Sequence, residues 1–191
     1  EEGQELAEVV GCLDYSYSNT KIQPRLARDV VEEGVTRIQR INQVLYSDLL
    51  KVSEDNISDQ SYFVDEIVTV EGIVTVATDL SYAGDGVKIV FEDYNGGPWS
   101  GMVCYDETAV ELGPQPIGRL VRVTGTIAEY GHPDYDGNVT EIFTSQVIQP
   151  LGLDTSGISI DTIQTGDLRD PLSGEQWGAV WVEINDAMVI Q

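Results

Sequence analysis

Between residues 66 and 149 the chain alternates apolar and polar positions in short runs, which glycine- and proline-rich turns separate. Alternation at period two is typical of strands that bury one face. The first and fourth runs are the longest, and each has a glycine near its middle, Gly72 and Gly125. A glycine inside a strand commonly marks a bend or bulge, which lets one strand serve two sheets. The runs are 66–78, 87–92, 99–105, 119–129 and 138–149, and they predict a five-stranded Greek-key barrel.

The flanking segments have other patterns. Pro24 followed by a mixed run that ends at Gly34 predicts a short helix, and alternation over 35–41 predicts a strand. Ser47 is a good capping residue, so 47–52 is predicted as one or two helical turns, followed by an acidic loop over 53–61. The apolar residues 178–191 predict a C-terminal strand.

The predicted fold is therefore mainly β. It comprises an N-terminal extension of short helices and one strand (1–64), an OB-type barrel (65–149), and a C-terminal linker and strand (150–191). We expect the last strand to pack on its own barrel or on a neighbouring subunit, because an unpaired strand edge is a template for another chain.

The charge is strongly negative and unevenly distributed. Of 33 acidic and 10 basic residues, net −23, residues 1–51 contribute only −3 and residues 52–191 contribute −20. Nucleic-acid binding needs Lys and Arg to replace condensed counterions, so we expect no nucleic-acid partner. Solubility is the simplest explanation of the acidity, with cation binding or salt adaptation as alternatives. No run of about 18 apolar residues occurs, so no membrane-spanning segment is predicted.

Two cysteines, Cys12 and Cys104, lie far apart in the sequence. A disulfide between them would close a loop of about 90 residues, worth roughly 4–5 kcal/mol on the chain-entropy model. Two buried free thiols are the alternative, and the sequence leaves both open. Since the chain starts at Glu1 with neither a methionine nor a signal peptide, we expect a processed product or an excised domain.

Catalytic motifs are hard to find in this sequence. The single histidine, His132, lies in a polar loop, and Ser100 sits in Gly-Pro-Trp-Ser-Gly, which lacks the spacing of a nucleophile elbow. No glycine-rich loop is followed by the lysine and helix of a phosphate site. We therefore predict that the chain is not an enzyme and binds no organic cofactor.

A calcium site is the best chemical hypothesis. Asp134, Asp136, Asn138 and Glu141 place hard oxygen ligands at alternating positions, as calcium prefers, and Asp85, Asp93 and Asn95 form a weaker cluster. The alternative is that Asp, Asn and Gly are simply the residues of which turns are made.

Aromatic residues are frequent in the predicted barrel loops. Tyr94, Trp99, Tyr130 and Tyr135 are the candidates for contact with sugar rings or with another protein. Ordinary packing and hairpin rims are the alternative role for these side chains.

Several short segments resemble a family of OB domains of bacterial secreted proteins. The likeness rests on Val68–Thr75, Phe91-Glu-Asp93, Gly97–Gly101, Val123–Thr126 and Thr140–Ile142, and further on Glu175–Gly178 and Val182–Ala187. Domains of this family stand beside endonuclease/exonuclease/phosphatase, lamin-tail-like and sorting-tail domains. The resemblance covers roughly residues 35–191 and departs from many OB folds over 106–118, where no helix is predicted.

The resemblance implies the fold and an extracellular or cell-surface location more strongly than a function. We expect a non-catalytic structural module that contacts other protein chains, or copies of itself in a surface structure or filament. The alternatives are an accessory domain of a larger secreted nuclease or phosphatase and a calcium-dependent glycan- or protein-binding module.

Overall fold

A computed structural model describes most of the chain. The described residues are 5–16, 18–24, 30–49, 59–131, 138–143, 148–153, 157–169 and 171–188. Within them the protein is mainly β, with a large mixed sheet at its centre. No helix among these residues has the length and apolar character needed to cross a bilayer.

The N-terminal part consists of short elements. Its strands are β1 (Leu6–Val9), β2 (Cys12–Ser16), β3 (Asn19–Gln23) and β4 (Val30–Glu32), followed by the helices α1 (Ile38–Asn42) and α2 (Tyr46–Leu49). β1 pairs with β4, and β2 pairs with β3, both antiparallel.

The central sheet has six strands. They are β5 (Ile67–Val76), β6 (Val87–Glu92), β7 (Gly101–Asp106), β8 (Arg119–Gly131), β9 (Asn138–Phe143) and β10 (Ile148–Leu153). Their order is β10-β8-β5-β6-β7-β9, and β9 also pairs with β8. The pairing that leads from β8 through β5, β6, β7 and β9 therefore returns to β8. The β7–β9 pair is parallel, and the other pairs of this sheet are antiparallel.

The two mid-strand glycines lie where the long strands change partners. β5 pairs with β8 up to Ile73 and with β6 from Ile73 onward, while β8 passes from β5 to β9 at Thr126. A Cβ atom at Gly72 would lie 2.4 Å from the carbonyl oxygen of Glu92, and one at Gly125 would lie 2.7 Å from that of Phe143. Both positions thus require glycine because neighbouring backbone approaches too closely for a side chain.

The buried core lies between these strands and α1. It contains the inward residues of β5 to β9, together with Leu112 and two α1 residues, Ile38 and Ile41. Ile38 and Ile41 are three positions apart and share one helix face, so α1 seals the core with that face.

Three sequence predictions about the extensions were wrong in whole or in part. Residues 35–41, predicted as a strand, contain most of α1, because Ile38 and Ile41 are three positions apart, a spacing that fits one face of a helix and not a period of two. Residues 30–32 of the predicted helix form β4, where the β-branched Val30 and Val31 pair with β1; residues 25–29 lie outside the described part. Of the helix predicted at 47–52, residues 47–49 belong to α2, which begins one residue earlier at Tyr46; residues 50–52 lie outside the described part.

The C-terminal segment contains less strand than predicted. Its elements are β11 (Asp161–Ile163), a 3₁₀ helix (Thr165–Leu168), α3 (Pro171–Gly174), a second 3₁₀ helix (Glu175–Trp177) and β12 (Val182–Ile184). β12 pairs in parallel with β11, not with the large sheet. The strand predicted over 178–191 is therefore limited to three residues in the described part of this segment.

Candidate functional site

The hairpin formed by β2 and β3 has two chemically distinct faces. Leu13 lies opposite Ile22, and Tyr15 lies opposite Thr20; residues directly opposite or two apart on a strand share a face. This face is apolar, and its large side chains are strongly exposed: Leu13 by 75%, Tyr15 by 72% and Ile22 by 52%. We call these three residues the apolar face of the hairpin.

The other face of the hairpin is polar and internally bonded. The Asp14 carboxylate accepts hydrogen bonds from the Ser16 hydroxyl (2.9 Å) and the Gln23 amide (3.0 Å). Lys21 donates to the Ser16 hydroxyl at 3.5 Å. Since Asp14 and Lys21 are the charged residues between 12 and 23, the hairpin itself is neutral.

A cleft of about 620 Å³ lies between the outer face of the sheet and the C-terminal segment. The sheet side is formed by β6, β7 and β9, and the opposite side by residues around α3; Asn42 at the end of α1 and Asp59 also line it. Its apolar lining residues include Val90, Val103, Val139, Leu168 and Trp99. We call it the acidic cleft, for the carboxylates described below.

Backbone contacts hold the C-terminal segment over the sheet. The Trp99 N–H donates to the Gln176 carbonyl at 2.6 Å, and the Gly97 N–H donates to the Asp161 carboxylate at 3.0 Å. The backbone at Ala179 approaches Gly101 so closely that a Cβ there would clash. The cleft therefore has walls fixed by main-chain geometry.

Glu92 adds a further bond between the sheet and the segment by accepting the Trp181 N–H. Burial raises the pKa of Glu92 to about 7. The charge of Asp161 adds to this rise, and the hydrogen bond from Trp181 opposes it.

Three carboxylates from distant parts of the sequence lie close together: Asp59 and Glu175 line the cleft, and Glu129 lies near both. Asp59 is only 3% exposed and accepts the backbone N–H and the side-chain amide of Asn138 at 2.9 and 3.0 Å. Glu129 accepts the Ser61 N–H at 2.8 Å and the Thr140 hydroxyl at 3.0 Å. Burial raises the pKa of Glu129, although both bonds oppose the rise.

Glu175 is the third carboxylate. Burial, and then the charges of Asp59 and Glu129, raise its pKa to about 7. Two cationic residues, Lys88 and Arg169, also line the cleft. The site therefore combines an apolar floor with charged walls, one of whose acids titrates near neutral pH.

The predicted calcium ligands are only partly within the described residues. Asn138 is engaged with Asp59, and burial raises the pKa of the half-buried Glu141. Asp134 and Asp136 lie outside the described part, as does His132. In the part that is described, no group of three His, Cys, Asp or Glu side chains could hold a metal ion. The calcium site thus stays a prediction.

The predicted contact aromatics do not share one surface. Trp99 lines the acidic cleft and has a positive φ of 68°, whereas Tyr94 lies elsewhere, beside Arg37, Glu71 and Asp93. Burial, and then the charges of Glu71 and Asp93, raise the pKa of Tyr94. Tyr130 is exposed near the end of β8, and Tyr135 lies outside the described residues.

Both cysteines are free thiols in this structure. Cys12 is exposed on the hairpin, and Cys104 is buried in the core. The structure therefore has neither the disulfide nor the pair of buried thiols between which the sequence left the choice open.

Sequence reasoning missed both the hairpin and the carboxylate cluster. The alternation of Leu13 and Tyr15, with Ile22 beyond the polar residues Ser18 and Asn19, is a detectable hairpin signal. The cluster of Asp59, Glu129 and Glu175 has no such local signal, because only the tertiary fold brings residues so far apart in sequence together.

Comparisons with known proteins give little further information. No protein-family model matches the sequence, and no curated protein matches it. Among the solved structures that match is one described as an aspartyl-tRNA synthetase from Leishmania major Friedlin, with 14% identity and a TM-score of 0.36. The match covers 56% of this chain and 20% of that chain. A likeness at this score supports no inference about function.

Proposed function

We propose that this chain is a non-catalytic, extracellular interaction module that associates with other protein chains, copies of itself included, through its N-terminal hairpin. The observation that carries this proposal is the apolar face of the hairpin, with Leu13, Tyr15 and Ile22 all strongly exposed. An isolated two-stranded hairpin is at best marginally stable in water. A partner that covers the apolar face would stabilise the hairpin and remove this surface from solvent.

The expected strength of such a contact can be estimated. Full burial of one large aliphatic side chain is worth about 1.5–3 kcal/mol, so the exposed parts of the three side chains together offer roughly 4–5 kcal/mol. Association costs about 4–15 kcal/mol in lost freedom and ordering. The hairpin therefore needs an acceptor surface that adds contacts beyond these three residues.

The barrel to which the hairpin is attached is, on this proposal, of the OB type. The cyclic pairing of five consecutive strands, with the third and fifth parallel, supports a Greek-key barrel. OB folds that grip nucleic acid use a basic groove. Because residues 52–191 carry a net charge of −20, the partners proposed here are proteins and not nucleic acids.

Mass measurement in solution tests the proposal. Light scattering of the purified chain over a range of concentrations should give masses that rise above 20.9 kDa, and negative-stain images should show ordered particles. Tyr15→Ser should reduce this association, whereas the matched polar-face variant Gln23→Ser should not. Repeating the series with a calcium chelator shows whether a metal contributes. A mass of one chain at every concentration would refute self-association.

A further inference from the structure

We propose that an N-terminal arm is docked on the barrel by two arginine bridges, and that this docking presents the hairpin for association. The arm comprises the described residues 5–16, 18–24 and 30–32, and Arg37 and Arg122 are the residues that position it. The inference rests on the proposed function for the purpose of the arm, since the hairpin is part of it. It adds how the hairpin is oriented and which residues control that orientation.

The arm has few other attachments to the barrel. Among the described residues, neither β1 nor β4 pairs with a strand of the central sheet. Val31, which is 6% exposed, is the single buried residue of the described arm, and it lies outside the main core. A two-stranded sheet on its own is at best marginally stable in water. The β1–β4 sheet therefore depends on the contacts that hold it against the barrel.

Arg37, which directly precedes α1, makes the first bridge. Its guanidinium lies 3.4 Å from both carboxylate oxygens of Asp93, in the loop after β6, and 3.8 Å from the carboxylate of Glu8 in β1. The side chains of Arg37 and Asp93 are only 13% and 2% exposed, whereas that of Glu8 is 46% exposed. The barrel thus fixes the arginine, and the carboxylate of the arm meets it at the surface.

Arg122 makes the second bridge from β8. It bonds to Glu71, which lies opposite it on β5, and it donates to the Glu32 carboxylate of β4 at 2.8 Å. A guanidinium has five donors in a planar fork, so one arginine can bind two carboxylates at once. Both bridges therefore have the same design, in which an arginine lies between one glutamate of the arm and one acid of the barrel.

The overall charge of the chain makes these two arginines decisive. The chain has 33 acidic and only 10 basic residues. Without each arginine, a carboxylate of the arm would face a carboxylate of the barrel, and the two would repel each other. Exposed ion pairs usually contribute little, because two long side chains must be ordered to form them. Here the acids of the barrel already order the arginines, so docking has to order only the two glutamates of the arm.

A turn around Gly34 is the hinge between the arm and the barrel. The Val35 N–H donates to the Glu32 carbonyl at 3.1 Å, and Gly34 has a φ of 83° with open space around it. Glycine adopts this left-handed conformation without steric cost. The Thr36 N–H then donates to the Thr69 carbonyl of β5 at 2.8 Å, so the chain is attached to the barrel directly after the turn.

The hairpin is joined closely to the docked sheet. Only two residues separate the end of β1 from the start of β2. One of them is Gly11, where a Cβ atom would lie 2.4 Å from the carbonyl oxygen of Gln23 at the end of β3. The position of β1 therefore sets the orientation of the hairpin. A contact surface that is oriented before binding loses less freedom when its partner arrives.

A dye on Cys12 tests the docking of the arm. Cys12 is exposed on the hairpin and Cys104 is buried, so the native chain takes the label at one position. Time-resolved fluorescence anisotropy then shows whether the hairpin tumbles together with the barrel. Hydrogen exchange measures the protection of the β1 and β4 amides in the same samples. Both measurements are made at low concentration, so that association does not contribute.

The arm variant is Glu8→Gln/Glu32→Gln, which removes the arm half of both bridges and keeps the bonds between the arginines and the barrel. Its control, Glu107→Gln/Glu111→Gln, removes two exposed charges that belong to neither the arm nor the bridges. In the arm variant, we expect the dye to gain a fast component of motion. The β1 and β4 amides should exchange at least about tenfold faster, with the barrel strands unchanged. The control should behave like the unchanged chain.

Charge reversal separates the bridge from other effects of substitution. Glu32→Arg and Arg122→Glu should each release the arm, and Glu32→Arg/Arg122→Glu in one chain should restore docking, because opposite charges meet again. Circular dichroism and urea unfolding show which variants are folded, and the arm variant decides the question if Arg122→Glu unfolds the barrel. An arm that stays docked in the arm variant, or a release that the folded double reversal leaves unchanged, would overturn the arginine bridges.

Light scattering of the same variants tests the purpose of the docked arm. We expect the arm variant to associate about three- to tenfold more weakly than the unchanged chain, since a released hairpin must be ordered on binding. A released arm that associates as strongly as a docked one would overturn the presenting role but keep the proposed function. An unchanged chain that is monomeric at every concentration would overturn both, while the anisotropy still decides whether the arginines hold the arm.

Discussion

Replacing Asp106 by asparagine tests how the loop after β7 is held against the core. The Asp106 carboxylate is 1% exposed. One oxygen accepts the Thr108 N–H at 2.9 Å and the Thr108 hydroxyl at 2.8 Å, and the other accepts the N–H groups of Glu111 and Leu112 at 2.7 and 2.9 Å. These bonds fix the loop so that Leu112 reaches the buried core.

The expected cost follows from the donors that lose their acceptor. The asparagine side chain has one oxygen where the Asp106 carboxylate has two, so two donors would face an amide nitrogen. A buried donor without a partner costs about 1–3 kcal/mol, and partial relaxation brings the total to about 2–4 kcal/mol. Such a loss is a large part of the roughly 5–15 kcal/mol by which domains are usually stable.

Urea unfolding followed by tryptophan fluorescence measures this cost. With a slope of about 1–3 kcal/mol per molar urea, the midpoint of Asp106→Asn should fall by about 1–2 M. The control Thr108→Val removes one hydroxyl donor at an exposed position and should cost below about 1 kcal/mol. An Asp106→Asn variant within about 0.5 kcal/mol of the unchanged chain, on the order of ordinary surface substitutions, would refute this account of the loop.

The pH dependence of the same variant provides a second check. Burial alone would raise the pKa of Asp106, but the bonds from Leu112, Thr108 and Glu111 together hold it below its ordinary value of 3.8. A pKa that is lowered in the folded state stabilises the protein at pH values above the ordinary pKa, and this contribution is lost as the pH falls through the pKa of the folded state. The difference between the two proteins should therefore shrink below about pH 3.8.

Other predictions concern the thiols, a buried acid and a strand glycine. A thiol reagent should modify Cys12 alone in the native chain and Cys104 only after unfolding, because burial both shields that thiol and raises its pKa; two reactive native thiols would contradict this. Glu92→Gln keeps the oxygen that accepts the Trp181 N–H and should raise the free energy of unfolding by about 2 kcal/mol at pH 8, with no gain at pH 4. The reason is that the raised pKa of Glu92 costs stability only as the pH rises from 4.5 towards about 7. Gly72→Ala should lower the free energy of unfolding, measured with urea, by about 1–3 kcal/mol because the added Cβ would overlap a backbone carbonyl. Gly166→Ala is the control: open space surrounds this glycine, so the change in stability should be less than about 0.5 kcal/mol.

The strands of the large sheet could be predicted from the sequence because two local signals agreed. Alternation placed the runs, and the glycines at 72 and 125 marked the points where the long strands change partners. Both signals depend only on residues that are close together in the sequence. The structure adds β10 as a sixth strand, paired with β8. The sequence pattern predicts a single strand over 138–149 and therefore does not separate β10 from β9.

The N-terminal errors came from ambiguous spacing. Val35, Ile38 and Ile41 recur at intervals of three, and intervening polar residues make the same run look partly alternating. Burial of Ile38 and Ile41 in the core resolves the ambiguity in favour of the helix. Residues 30–32 show the opposite case, since pairing with β1 outweighs the helical propensity of the surrounding residues.

The candidate site was mostly beyond reach of the sequence. Trp99 and Asn138 were singled out for contact and for calcium, yet in the structure both line the same cleft. Their common location depends on the loop before β7 and the start of β9 facing the C-terminal segment. Asp59 and Glu175 became candidates only when the fold placed them beside Glu129.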